Sequence, residues 1–253
     1  MLFVIRAFLC VFVCGSSLYA DRSDVIDLRD YEAKFYSEHG EDGVLEKIFE
    51  IIGPLSKIYV EFGVQDGTEC NTRYLREKHG FHGLLMDMGH ENSTINLKKE
   101  IITAENINAL LEKHKIPEEF DLLSIDIDSN DFYVWHAMKH RPRVVVVEYN
   151  PNHPPHQDKV IVYNPNQFWD HTSYFGASIL ALYNLGCVKG YSLIYAETGG
   201  CNLFFIRNDI LAEVPVTFKN INDPIGLYKI GYHQPDPLGR KYITSTEAIE
   251  LLQ

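Results

Sequence analysis

The chain has 253 residues, 45% of them hydrophobic, and its 35 acidic and 23 basic side chains give a formal net charge of −12. That balance, with no run of Lys or Arg, argues against nucleic acid as a principal partner, because phosphate contacts need clustered cations. The length suffices for one substantial core without disulfide staples, and no internal repeat or low-complexity tract interrupts it.

Residues 1–20 have the layout of a cleaved secretory signal: Arg6, an apolar run from Ala7 to Cys14, then Gly-Ser-Ser-Leu-Tyr-Ala20. The run is too short for a membrane span, and no other segment is long and apolar enough to cross a bilayer. The expected destination is secreted, periplasmic or the lumen of a secretory pathway, with a retained anchor as the alternative. Cleavage leaves Cys70, Cys187 and Cys201, an odd number that keeps at least one thiol unpaired. Residues 20–37 are charged and predict a leading helix or strap. Ser37-Glu-His-Gly-Glu-Asp42 precedes a helix over 43–52. It either closes over a ligand or places Glu41 and Asp42 as caps at the positive end of the helix dipole.

The run Tyr59-Val-Glu-Phe-Gly-Val-Gln-Asp-Gly-Thr68 predicts a buried strand, an acidic turn and a helix start. Gly63 and Gly67 let the backbone turn sharply and approach a ligand. Glu61 puts a carboxylate at the strand's carboxyl end, where open α/β sheets bind ligands. The spacing departs from the dinucleotide fingerprint G-x-G-x-x-G, and the acids repel a pyrophosphate. S-adenosylmethionine, which has no phosphate and carries an ammonium and a sulfonium, suits the turn better. The competing reading is an ordinary strand-to-helix turn.

Gly83-Leu-Leu-Met-Asp87 predicts the next strand, and Asp87 lies where doubly wound folds place the acid that binds ribose hydroxyls. Its alternative role is that of a turn residue capping the next helix. A third strand is expected at Ile101–Ala104, with a helix over 106–113. Asp121-Leu-Leu-Ser-Ile-Asp-Ile-Asp128 predicts a fourth strand with acids at its exit, and residues 132–138 a helix. Val144-Val-Val-Val-Glu148 predicts a fifth, β-branched throughout, as when both faces are buried. Residues 178–185 predict a helix, and 191–197 with 201–207 an antiparallel hairpin around Gly199-Gly200. Together these elements predict one α/β domain over 21–253. Its core is about 37–207, with a mostly parallel seven-stranded sheet, a C-terminal antiparallel hairpin and helices on both faces. The tail over 215–253 is expected to pack around the domain, ending in a helix from Ser245.

Glu61-Phe-Gly-Val-Gln-Asp-Gly67, Asp121 through Asp128 and the stretch from Tyr191 to Phe205-Ile-Arg207 resemble a class I S-adenosylmethionine-dependent methyltransferase, nearest to the FkbM-like group. Ser124 and Ser129 depart from that group's pattern, which carries lysine and glycine there. The resemblance implies a Rossmann-like methyltransferase fold. It also implies that Glu61 and Gly63 line the methionine end of the cofactor, that Asp87 holds the ribose, and that Asn106 and Ile107 flank the adenine. Asp126 would face the methionine moiety or the reacting centre. Asn106 reads equally as a helix N-cap.

Asp126, Asp128 and Asp131 cluster after one strand, and Glu148 and Asn150 end its neighbour. Oxygen-only ligands suit a hard cation such as magnesium, with Asp126, Glu148 and Asn150 as the expected set. The alternative is that these acids cap helices. Residues 150–177 form a long insert, expected to recognise the methyl acceptor. Within it His171 is the candidate base beside Asp126, or else a packing residue. His153 and His156 with Asp158 read as a second set, for a transition metal, or else as a solvated, rigid turn around Pro154-Pro155. The expected function is O-methylation of a small molecule or glycan. The alternatives are a catalytically silent secreted nucleoside-binding module and a nicotinamide-dependent oxidoreductase. The sequence does not specify an oligomeric state.

Overall fold

The computed structural model describes residues 24–252, so the predicted signal over 1–20 lies outside the described residues. A central sheet is built from β1 (Ile58–Phe62), β2 (His82–Asp87), β3 (Leu97–Lys99), β4 (Leu122–Ile125), β5 (Val144–Glu148), β6 (Tyr191–Ala196) and β7 (Asn202–Arg207). Across the sheet they run in the order 3-2-1-4-5-7-6. The first five are parallel, and β7 lies antiparallel to both β5 and β6. The chain therefore adopts the expected α/β architecture, a mostly parallel sheet closed by an antiparallel hairpin. Strand order reverses between β1 and β4, and a crevice opens at their carboxyl ends, as it does in open sheets generally.

Every residue of β4 and β5 is buried, which is why Val144 to Val147 need no polar alternation. Helices α1 (Glu41–Ile52), α2 (Arg73–His79), α3 (Ile107–Lys113), α4 (Asp131–Ala137) and α5 (Ile179–Lys189) cover the sheet. α1 packs on α2, while α3 packs on α4 and α4 on α5. α1 buries Val44, Leu45, Ile48 and Phe49, one apolar stripe at helical spacing.

One expectation is corrected. The third strand is not Ile101–Ala104 but Leu97–Lys99, pairing with Leu85 to Asp87. β3 is an edge strand in which only Leu97 is buried; its lysines suit an open edge and mask its apolar signal. Of the two readings of the leading segment, the strap holds and the helix does not. Asp24–Ile26 pairs in parallel with Val216–Phe218, and a short 3-10 turn comes next at Leu28–Tyr31. The C-terminal tail thus clamps the start of the described chain. It also clasps the insert, because Tyr242–Ile243 pairs with Val160–Ile161.

Asp121 pins the entry of β4. It is fully buried. Its Oδ1 accepts from Leu55 N and Arg143 Nη1, both at 2.8 Å, and its Oδ2 from Ser56 N at 2.7 Å and Lys57 N at 2.6 Å. Burial pushes its pKa up, but the bonds from Leu55, Arg143, Ser56 and Lys57 outweigh it and hold the carboxyl below its usual range. Asp121→Ala strands Arg143 and three backbone N–H groups. It is expected to cost about 3–5 kcal/mol in urea unfolding. Because the native pKa is depressed, the wild-type contribution is complete above about pH 4 and is lost as pH falls through the native value. A variant within about 1 kcal/mol of wild type, by the same scale, would contradict this.

Candidate functional site

β1 runs into the turn that the sequence singles out. Gly63 has φ +74, and a Cβ there would lie 1.5 Å from the Asp126 carbonyl oxygen. The exits of β1 and β4 touch backbone to backbone, and only glycine permits it. Gly67, at φ +78, packs against Ile95, whose Cδ1 would sit 2.5 Å from an added Cβ. Glu61 is buried. Its Oε1 accepts from Asn71 N at 2.7 Å, and its Oε2 from Thr72 N at 3.0 Å and Thr72 Oγ1 at 2.6 Å. Burial raises its pKa against those bonds. Glu61 therefore anchors the approach to α2, and both its oxygens are engaged there rather than open to the crevice. Ser124 accepts from Asn71 Nδ2 at 3.1 Å and ties β4 to the same anchor.

The crevice has two adjoining halves that share Gly63, Gln65 and Asp126. One half is lined by Glu38, Glu61, Asp66, Glu69 and Asp126, with Asn71 and Asn202, and by no Lys or Arg. The other is lined by Asp87, Met88, Glu100, Ile101, Ile102 and Phe168 among others. Asp87 Oδ1 accepts from Gly89 N at 2.7 Å and His90 N at 3.1 Å, and touches His90 Nδ1 at 2.9 Å. Among the described residues its Oδ2 accepts from Gln65 N alone, at 2.9 Å. Oδ1 therefore holds the loop after β2, and Oδ2, with one donor, has a second lone pair.

Asn106 and Ile107 do not line this crevice. Asn106 Oδ1 accepts from Thr103 N at 2.8 Å and its Nδ2 donates to Ile101 O at 2.7 Å. Ile107 is fully buried in the core. The displacement of β3 toward the N-terminus explains the change, since it moves the strand's exit to Glu100, Ile101 and Ile102.

The acids after β4 and β5 divide by role. Asp126, Asp128 and Glu148 bring carboxylate oxygens within 4.8 Å of one another. Asp131 is instead engaged by its own loop, accepting from Ile127 N at 2.8 Å and Ser129 N at 3.0 Å. Asp131 thus folds the loop before α4 and does not cap the helix, whose N-cap is Asn130 with no side-chain cap bond. Asn150 is also no ligand. Its Nδ2 donates to Ser173 O and Phe175 O, both at 2.8 Å, and its Oδ1 accepts from Asn152 N and Nδ2. It fastens the insert, and Asp128 takes its place in the cluster. The turn that does this is left-handed, with φ +57 at Asp128.

Burial and then Asp128 push the Asp126 pKa well above the usual carboxylate range. Burial and then Asp126 do the same to Glu148. Burial, then Glu38, raises Asp128, and burial raises Asp131 to about 6. Glu148 Oε2 is buried and has no hydrogen-bond partner among the described residues. Three crowded carboxylates with an orphaned buried oxygen fit a hard divalent cation bound through oxygen.

The insert and the tail form the outer wall. His171 is exposed, at φ +64, with its ring 4.6 Å from Trp169. His171 lies near enough to Asp128 to oppose the rise in that carboxyl's pKa, as does His233. His233 comes from the C-terminal tail, and no local signal in the sequence marks it. Its Nδ1 accepts from Asn152 Nδ2 at 2.9 Å, so the neutral ring carries its proton on Nε2. Arg240 binds insert to tail through Asp170 at 2.7 Å and Asp236 at 2.9 Å. His153 is buried, packs on Tyr242, and burial lowers its pKa to about 4. Asp158 accepts from Ser245 N and Oγ, so His153, His156 and Asp158 do not assemble a second metal set. Cys70, Cys187 and Cys201 are all free, and burial raises the Cys70 pKa, which makes that thiol inert.

No family model and no curated protein matches this chain.

Proposed function

We propose that the protein transfers a methyl group from S-adenosylmethionine to a hydroxyl oxygen of a small molecule or glycan, with a divalent cation such as magnesium. The observation that carries the reading is the two-part crevice at the point where strand order reverses. One half is acidic without a single Lys or Arg, and the other sets Asp87 beside Met88, Ile101 and Ile102. The first half suits an onium arm and repels a pyrophosphate. The second offers a carboxylate oxygen for a sugar hydroxyl and apolar surface for a base. The mostly parallel seven-stranded sheet with its antiparallel β7 supports the Rossmann-like reading. It departs from the dinucleotide order 3-2-1-4-5-6.

Methyl transfer needs orientation more than covalent help, because the sulfonium is already activated. Gly63 and Asp126 border both halves of the crevice, at the junction where the transferred group would sit. A cation held by Asp126, Asp128 and Glu148 would lower the pKa of an acceptor hydroxyl. His171 and His233, both on the outer wall, are the groups this reading assigns to the acceptor's proton. The reading keeps residues 1–20 as an export signal, so cofactor would have to reach the protein outside the cytosol.

Calorimetry with S-adenosylhomocysteine and with NAD tests it. The expected result is binding of the first and not the second, with Asp87→Ala weakening it at least about tenfold, as for a lost hydrogen bond to a charged group. Preference for NAD would overturn the proposal. Binding without turnover on any hydroxylated acceptor would instead favour a silent nucleoside-binding module.

A further inference from the structure

The loop between β2 and β3 carries Asn92-Ser93-Thr94, the one Asn-x-Ser/Thr triplet in the chain. On the surface of an exported protein such a triplet is an acceptor for N-linked glycosylation. All three residues are exposed. A short 3-10 turn over Ser93–Ile95 follows Asn92, whose Oδ1 accepts from Thr94 N at 3.0 Å. Only the carbonyl end of the amide can accept, so that bond fixes its orientation. The other end, Nδ2, donates to no group among the described residues. The turn needs only Asn92. The Thr94 hydroxyl, which the triplet requires and the turn does not, also has no partner among the described residues.

The backbone at Asn92 is held while its side chain is not. Asn92 N donates to Leu97 O at 3.0 Å, and Leu97 N to Asn92 O at 2.9 Å. Leu97 opens β3, the outermost strand on its side of the sheet. β2 reaches β3 through Asn96, with Leu85 N donating to Asn96 O, so Leu97 turns its own N–H and C=O away from β2. Asn92 therefore stands on the sheet's outer edge. A bulky, hydrated group on Nδ2 would meet solvent there, not a packed surface. It would also flank an edge that Lys98 and Lys99 already guard against pairing with another sheet. We propose that Asn92 is an N-glycosylation site of this protein. The inference rests on the proposed export of the chain and selects the lumen of a secretory pathway as its route. In the transfer, Asn92 Nδ2 bonds to the anomeric carbon of an oligosaccharide, and that carbon's bond to a polyprenyl diphosphate breaks. The diphosphate leaves with the bonding pair, and Nδ2 gives up one proton to base.

Translation of the full chain in the presence of endoplasmic-reticulum microsomes tests it. The expected product is protected from added protease and runs heavier by one glycan. Peptide-N-glycosidase should remove the glycan and leave an aspartate in place of Asn92, which mass spectrometry of that peptide reads. Asn92→Gln and Thr94→Ala should each lose the shift completely, and Thr94→Ser should keep it. Thr94→Ala is the sharper variant, because it retains Asn92 and the backbone N–H that Asn92 caps. A protected chain without a glycan, or one whose glycan survives Thr94→Ala, would overturn the site and leave the export reading standing. A chain that stays outside the microsomes would end both.

Discussion

Gly63→Ala is expected to destabilise the protein by about 3 kcal/mol or more and to abolish nucleoside binding. Two effects add. A non-glycine residue in the left-handed region costs about 1–2 kcal/mol, and Gly63 sits at φ +74. Overpacking costs a further 1–3 kcal/mol or so, and here the new methyl would lie 1.5 Å from the backbone oxygen of Asp126. Backbone cannot rotate aside as a side chain can, so the exits of β1 and β4 must part. Gly63 N also donates to Met86 O at 3.0 Å, so the shift would reach β2 and Asp87. The controls are Gly80→Ala and Gly190→Ala. Both glycines are left-handed helix caps with nothing within 4 Å of an added Cβ, so each should show only the backbone cost, about 1–2 kcal/mol, and unchanged binding. Urea unfolding and calorimetry on the three variants separate the terms. If Gly63→Ala behaves like its controls, the contact between the two exits is not what the geometry describes.

The parts of this site that are legible in the sequence are local. The strand at Tyr59, the glycine turn and the acid at Asp87 come from spacing within one β-α-β unit, and all three stand where that spacing puts them. β3 escapes sequence reading because an edge strand with two lysines carries little apolar signal. Ile101 and Ile102, the more strand-like pair, instead face the crevice. Local apolarity does not distinguish a residue kept for a ligand from one kept for a core. Asn150 and Asp128 are confused for a different reason: both are oxygen donors at strand exits, and the left-handed turn at Asp128 decides between them. Asn202 and His233 are out of reach altogether, and Glu38 is reached only as part of the 37–42 segment, one of whose two readings closes over a ligand. They come from β7, the tail and the strap, and only the folded chain sets them beside β1 and β4.

Protein freed of metal by chelation is expected to gain stability when magnesium is added, and the gain should grow with pH. The reason lies in Asp126, Asp128 and Glu148, whose oxygens crowd within 4.8 Å and whose pKa values are raised by burial first, then by Asp128 at Asp126, by Asp126 at Glu148 and by Glu38 at Asp128. In metal-free protein the folded state binds more protons than the unfolded chain, so stability falls as pH rises from about 4 through those raised values. Asp131, raised to about 6, adds to the same slope. Asp121 works in the opposite sense, because its pKa is lowered and its contribution disappears only in acid. Metal-free protein should therefore be most stable in mild acid, between these two limits. A cation requires the ionised carboxylates, so it competes with protons below that range and acts fully above it. At a hundredfold excess over its Kd, one specifically bound ion adds about 2.7 kcal/mol. Asp128→Asn is the discriminating variant, because asparagine tolerates the left-handed backbone at φ +57. It should match or exceed wild-type stability without metal, and should need at least about tenfold more magnesium for the same gain. Asn150→Ala should loosen the insert and leave the magnesium midpoint where it was. Thermal melts at pH 5 and pH 8 with graded magnesium carry the test. An increment that is equal at both pH values, or that survives intact in Asp128→Asn, would mean that the ion screens the acidic surface rather than occupying this cluster.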